Sequence, residues 1–291
     1  MTAMIRKTKT RSTGSRAFKR FLRHRLAMVG VAIMAVLTLL AVFAPVIAPY
    51  KPEQIDLLNR NQPPNLRHWL GTDQTGRDVF SRTIYAGRVS LLVGVAAVAI
   101  SLLIGTTLGA LAGYFGGITD GLIMRFVDMV MTFPSIIVLL ALAAIIGPGL
   151  DKTIFIIGLL NWPLVCRLVR AKLLSLREQD FVSAAVAMGA RPSRIILRHL
   201  LPNTVDVLVV YATLGVASAI LLEAGLSFLG LGVQPPTATW GNLINVARNV
   251  SILEQYPWQW MPAGAAIVLA VLAINFIGDG LRDALDPRMP S

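Results

Sequence analysis

Long apolar runs separated by short polar stretches dominate the chain. A helix crossing about 30 Å of hydrocarbon at about 1.5 Å per residue needs about 20 largely apolar residues. Six stretches approach that length: 26–48, 89–113, 122–146, 153–169, 205–230 and 261–281. The pattern predicts an all-α integral membrane protein with six transmembrane helices. Arg125 and Asp128 enter the third stretch, Pro163 interrupts the fourth, and the last has only about 17 uncharged residues. Pro134 and Pro163 are expected to bend the third and fourth spans, because proline removes a backbone donor and crowds the preceding turn. In the second span Gly105, Gly109, Gly113 and then Gly117 recur every four residues. That spacing puts them on one helical face, the small-residue pattern that lets helix backbones approach closely in lipid.

Charge orients this pattern. Of the 27 Lys and Arg residues, 19 fall on one side of the alternating spans and 8 on the other. Basic residues mark the cytoplasmic side. The expected layout is a basic cytoplasmic segment (1–25), a first span (26–48), an outer loop (49–88), and a five-helix core (89–281). The core includes a cytoplasmic loop (170–203) and a second outer loop (231–260), and a cytoplasmic tail (282–291) follows. Trp69, Trp240, Trp258 and Trp260 lie in or beside the outer loops, either at the membrane interface or packed within the loops. A basic stretch ahead of an apolar run also describes a secretory signal. The length of the run, and Pro45 after Ala44, favour an uncleaved first span.

Composition narrows the chemistry. The chain is 55% hydrophobic and 14% charged, with a net charge of +12 and a mean hydropathy of +0.67. Soluble domains carry about 25% charged residues, so basicity here points to membrane edges rather than nucleic acid. The single Cys166 excludes an intramolecular disulfide, and His24, His68 and His199 are scattered without metal-ligand spacing. No GxxxxGK[ST] phosphate loop occurs, so the chain is not expected to hold ATP in the usual way or to be an enzyme. A Ser and His pair suited to an intramembrane hydrolase is not evident, nor are the repeats of an ion-coupled secondary transporter.

The polar stretch after the fourth span, from about Arg167 to Pro202, reads as two short helices joined by a turn. Glu178 and Asp180 suit the positive start of the first helix. Gly189 can close that helix in the left-handed conformation, Pro192 can open the next, and Pro202 is expected to stop it. Ala184, Ala185 and Gly189 would let a partner approach the backbone. Arg191, Arg194 and Arg198 line one face of the second helix, and Ile195, Ile196 and Leu200 supply an apolar side. Residue types alone fit either an amphipathic helix on anionic lipid or a docking surface for protein.

Ala-Ala, three residues, Gly, and nine residues further a motif ending Leu-Pro resemble the coupling (EAA) loop of ABC importer permeases. Ser183, Ala184, Ala185, Gly189, Leu201 and Pro202 occupy those positions. Ser183 stands where the family usually has glutamate, and His199 where isoleucine is common. Three further motifs resemble the dipeptide, oligopeptide and nickel permeases, in the subunit type with a short first outer loop. They are His68-Trp-Leu-Gly-Thr-Asp-Gln-Thr-Gly-Arg-Asp-Val-Phe-Ser-Arg82 with Gly87-Arg-Val-Ser-Leu-Leu-Val-Gly94; Glu223-Ala-Gly-Leu-Ser-Phe-Leu-Gly-Leu-Gly232 with Pro235-Pro236 and Trp240-Gly241; and Gly278-Asp-Gly-Leu-Arg-Asp-Ala-Leu-Asp-Pro-Arg288. The resemblance runs from about residue 20 to 288. It implies the type I ABC importer permease fold and a multi-pass place in a prokaryotic inner membrane. It implies a homologous second permease, two ATPase subunits that hold ATP and Mg, and an extracytoplasmic binding protein. Membrane lipid is the remaining expected partner. The implied cargo is peptide, with nickel complexes or oligosaccharides as alternatives.

Polar groups at membrane depth are candidates for a path or gate. Asp128 is expected to pair with Arg125. Glu223 is expected near the outer interface, in packing or gate stabilisation rather than substrate contact. Asn161 and Asn275 fit hydrogen bonding within the bundle or lining of the pathway.

Overall fold

The structure is a computed structural model that describes residues 13–285. Within them the chain is helical throughout its long elements: α1 (Thr13–Arg23), α2 (Arg25–Val42), α3 (Ala44–Ile47), α4 (Val79–Phe115), α5 (Gly117–Thr132), α6 (Ser135–Ile146), α7 (Leu150–Arg177), α8 (Asp180–Ala187), α9 (Pro192–Ile195), α10 (Val205–Phe228), α11 (Trp240–Ile244), α12 (Val250–Gln255) and α13 (Met261–Leu285). Five helical stretches are long and apolar enough to cross a membrane, and α5 with α6 makes a sixth if the bent pair is one span. The first twelve residues of the basic segment and residues 286–291 of the tail, with Arg288 of the last motif, lie outside the described residues.

The centre of the bundle is the seam between α4 and α7. A Cβ on Gly109 would stand 2.5 Å from the Cys166 carbonyl oxygen, and one on Gly113 would stand 3.0 Å from that of Arg170. Glycine therefore lets the two backbones meet, and Ala110, Val165, Val169 and Leu173 close over the contact. Gly117, fourth in the sequence series, is not part of it. Helix α4 ends at Phe115, and Gly117 opens α5 with nothing near it. On the other side α10 and α13 pack on α4 and α2, burying Ala217, Ile220, Ala266, Ala270 and Ile274.

Two helices exceed their apolar cores. Helix α4 begins ten residues before the expected span, where the Asp78 carboxylate caps the Ser81 N–H at 2.8 Å. Arg82, too polar for an apolar count, is buried there against Asp73 at 2.5 Å. Helix α7 runs on to Arg177, so a third of the expected polar loop is helix, and Glu178 caps its end rather than starting the next helix.

The two prolines act differently. Pro134 divides the third span into α5 and α6, which meet at 83°. Pro163 stays inside the continuous α7, where packing on α4 holds the helix together across the missing donor.

The long loops between α3 and α4 and between α10 and α13 fold onto each other. The Trp258 indole donates to the Thr72 carbonyl at 3.4 Å, and the Gln259 amide donates to Asn61 Oδ1 at 2.8 Å. Trp240 is buried, donating through its indole to the Thr83 carbonyl at 3.0 Å. It therefore packs into the bundle against α4, α10 and α13 rather than at a lipid interface or within the loops, while Trp69 is exposed. In the first loop burial pushes the Asp73 carboxyl up, but Arg82 and then Arg77 outweigh it and hold the group below the usual carboxylate range.

Candidate functional site

The strongest candidate is the element at the end of α7. Helix α8 closes as the sequence requires: Gly189 has φ +74°, its N–H donates to the Val186 carbonyl at 2.9 Å, and the Ala190 N–H donates to that of Ala185 at 3.1 Å. This is the paired 6→1 and 5→2 pattern that a glycine in the left-handed region permits. Pro192 then opens α9, with Arg191 as its cap residue.

Pro202 does not stop the second helix. The Leu201 N–H reaches back five residues to the Ile196 carbonyl, making a π turn over Ile196–Leu200, and a 3-10 turn over Leu201–Thr204 leads into α10. Pro202 lacks the N–H of the next rung, and the helix widens and then tightens around it instead of ending.

The element has an inner and an outer side. Val182, Ala185, Ile195 and Leu200 are buried against Val169 and Leu173 of α7. Ala185 is thus core, not part of an exposed docking face as its sequence position suggests. The chain itself covers the apolar side of α9, which removes that side as a lipid contact. Outward stand Ser183, Ala184, Gly189, Arg191, Arg194, Arg198 and Pro202, with nothing within 4 Å of the position where a Gly189 Cβ would be. Leu201 is half-buried. Among these groups Met188 is 81% exposed and Val186 56%. Tyr114, Phe115, Arg177, Val182, Ser183, Val186 and Ala187 line an open groove along α8.

Helix α7, which carries this element, is tied by charge to its neighbours. The Arg170 guanidinium grips Asp120 of α5 with two N–H groups. Arg167 pairs with Asp128 of α5 at 2.5 Å, Lys172 with Asp206 of α10 at 2.9 Å, and Arg177 donates to the Tyr114 carbonyl at 2.9 Å. The expected Arg125–Asp128 pair is replaced, because a guanidinium on the packed neighbouring helix reaches Asp128. Sequence reading missed Asp120 and Asp206. Their signal is an acidic residue at the edge of an apolar run on a side that is otherwise basic.

Midway along the bundle a cavity of about 230 Å³ lies between α4, α7 and α10, lined by Ser101, Asn161, Tyr211, Ser218 and aliphatic side chains. Asn161 also lines a second cavity, beside Pro134 and Pro163. The Asn161 amide donates to the Ile157 carbonyl at 2.9 Å, and the Tyr211 hydroxyl donates to the Asn161 carbonyl at 3.0 Å. No ionisable acid or base stands in either wall except the Tyr211 phenol. Asn275 is half-buried on α13 and lines neither cavity.

Glu223 is fully buried near the C-terminal end of α10. Hydroxyls of Ser90 (3.1 Å) and Ser227 (2.7 Å) donate to its carboxylate. Ser90 Oγ accepts from the Trp240 N–H at 3.1 Å, and Ser227 Oγ accepts from that of Val233 at 3.2 Å. One carboxylate thereby joins α4, α10 and the second long loop. It offers no surface to a solute in this conformation.

Comparison with known proteins accords with this architecture. Residues 105–291 match the family described as binding-protein-dependent transport system inner membrane component. Residues 12–64 match the N-terminal TM domain of oligopeptide transport permease C. The dipeptide transport system permease protein DppC of Alkalihalophilus pseudofirmus is 46% identical, over 94% of this chain and 90% of the relative. The oligopeptide transport system permease protein OppC of Bacillus subtilis is 40% identical, over 94% and 89%. The glutathione transport system permease protein GsiD of Escherichia coli O6:K15:H31 is 42% identical, over 98% and 94%. Among solved structures, a chain from inward-facing conformations of the MetNI methionine ABC transporter aligns with a TM-score of 0.56 at 20% identity. The alignment covers 70% of this chain and 96% of that one, and it shows a shared fold.

Proposed function

We propose that this chain, which belongs to the family of binding-protein-dependent transport system inner membrane components, passes peptides inward as one half of a paired permease. It is a multi-pass inner-membrane permease of an ABC importer, a family without catalytic activity of its own, whose partners include ATPase and binding-protein subunits. The finer roles below are our reading.

The observation that carries this reading is the α8–α9 element, with its apolar side covered by its own chain and its small and basic side bare. An ATPase subunit docks on Ser183, Ala184, Gly189 and Arg191 and their surroundings. A serine at the position usually held by glutamate leaves docking to backbone shape and small-residue fit. In this reading the element and both chain ends lie on the cytoplasmic side, as the Lys and Arg bias supports, and the paired long loops lie outside, facing the binding protein. Motion of the docked ATPase enters α7 through α8. The Arg170–Asp120 and Lys172–Asp206 pairs pass it to α5 and α10, so that the walls of the central cavity shift between two packed arrangements.

Peptide as the cargo is supported by the names of the relatives and by the cavity lining. An uncharged wall of Asn161, Tyr211, Ser218 and aliphatic side chains makes no demand on the charge of a peptide's side chains. Transport of labelled di- and oligopeptides by the assembled importer, with its binding protein, tests this reading. Uptake of nickel complexes or oligosaccharides in place of peptides would overturn the cargo. Uptake by this chain without an ATPase would overturn the mechanism.

A further inference from the structure

Helix α1 is not used by the transport mechanism above. It is joined to the first span through the single residue His24, in extended conformation (φ −78°, ψ 102°), so α1 does not continue the axis of α2. His24 both caps α2, accepting from the Ala27 N–H at 3.1 Å, and meets Asp283 of α13 at 3.5 Å. Phe21 lies against Gly280 of α13. The helix is therefore fixed at the edge of the bundle, where the first and last spans end.

Its two sides differ in chemistry. Phe18 is 63% exposed and Leu22 46%, four residues apart and so on one face. The next exposed apolar residues along the chain, Leu26, Met28 and Val29, belong to the outward side of the first span. Lys19, Arg23 and Arg25 are exposed as well. No acidic residue occurs in the chain before Glu53. At this end of α13 Asp283 is engaged by His24, and Asp279 stands exposed one turn earlier.

We propose that α1 is an interfacial helix that binds the anionic phospholipid surface of the leaflet it adjoins. Phe18 and Leu22 enter the acyl boundary, and Lys19, Arg23 and Arg25 meet lipid phosphates. An apolar strip continuous along the chain with a lipid-facing span, flanked by the exposed Lys19, Arg23 and Arg25, fits such a surface better than a protein groove. Through Phe21–Gly280 and His24–Asp283 the bound lipid steadies the packing of the first span on the last.

The test uses the assembled importer in nanodiscs of phosphatidylcholine alone or with phosphatidylglycerol. A spin label on Phe18→Cys reports immersion, and native mass spectrometry counts retained anionic lipid. Immersion and retention should rise with phosphatidylglycerol. Each basic residue near such a surface contributes about 1 kcal/mol, so Lys19→Gln with Arg23→Gln should lower the anionic preference about thirty-fold. These changes leave the Phe21 and His24 contacts intact, and an unchanged melting temperature confirms that the bundle is folded. Immersion and retention that ignore both lipid charge and the double substitution would overturn the proposal. So would loss of ATPase co-purification with lipid retention unchanged, because the basic side would then serve the ATPase.

Discussion

The α4–α7 seam and the α8–α9 element both rest on glycine among small neighbours, but they use it in opposite ways. At the seam, Gly105, Gly109 and Gly113 meet the backbone of α7 so closely that no side chain fits. At the element, Gly189 turns the chain, with Ala184 nearby, and none of the described residues comes within 4 Å of where its Cβ would be. Smallness at the seam is consumed within the chain. Smallness on the element is left uncovered, as a site awaiting a partner should be. Identical residue types thus separate into stability and recognition only when the neighbouring surface is known.

Substitutions can break this contrast, in descending order of effect. Gly109→Val should be the most damaging, since its Cβ would overlap the Cys166 carbonyl. Overpacking costs about 1–3 kcal/mol in soluble cores, and contact with rigid backbone should bring it to the upper end. Loss of folded protein, read by size-exclusion yield and melting in detergent, is the expected result. Glu223→Ala should follow, at about 2–3 kcal/mol, because Ser90 and Ser227 would lose their shared acceptor. Glu223→Gln should recover much of it, as melting of the pair would show.

Gly189→Val should separate the two regions most clearly. Forcing a β-branched residue to φ +74° costs about 1–2 kcal/mol, yet there is open space around it, so membrane insertion and melting should change little. ATPase co-purification and coupled uptake should fall sharply. Wild-type values of both would remove the element from the docking surface. Asp128→Asn should have the smallest effect, under about 1 kcal/mol, because its pair with Arg167 is exposed. The same change at Asp120, held by a two-pronged contact, should be larger when uptake per ATP is measured.

Acid should loosen the long-loop end in a defined direction. Asp73 has its folded-state pKa held below the ordinary value of about 3.9. Its pairing with Arg82 and Arg77 is then fully present above that value and lost as pH falls through the lower, folded one. Loop protection measured by hydrogen exchange should drop in that range, and Asp73→Asn should weaken the dependence, since Asp56 of the same loop is also held low by its bond from Asn59.

Much of the architecture was legible along the chain. Apolar length marks which stretches can span, because hydrocarbon thickness demands it: five helices qualify, and a sixth if the bent α5–α6 pair is one span. Gly189 and Pro192 mark the turn between α8 and α9 by their own backbone preferences. The motif around Glu223 pointed to packing rather than to solute. Pattern failed where a partner helix outweighed a local preference. Asp128 chose Arg167 over Arg125, Ala185 went inward while Ala184 stayed out, Pro202 was absorbed into a helix, and Gly117 left its series. Sequence, through periodicity, hydropathy and local backbone chemistry, determined that this chain spans a membrane several times and carries a glycine-hinged element between two of its spans. Tertiary structure alone decided which small residues are covered and which acid meets which base, because those outcomes depend on what the facing helix brings within a few ångströms.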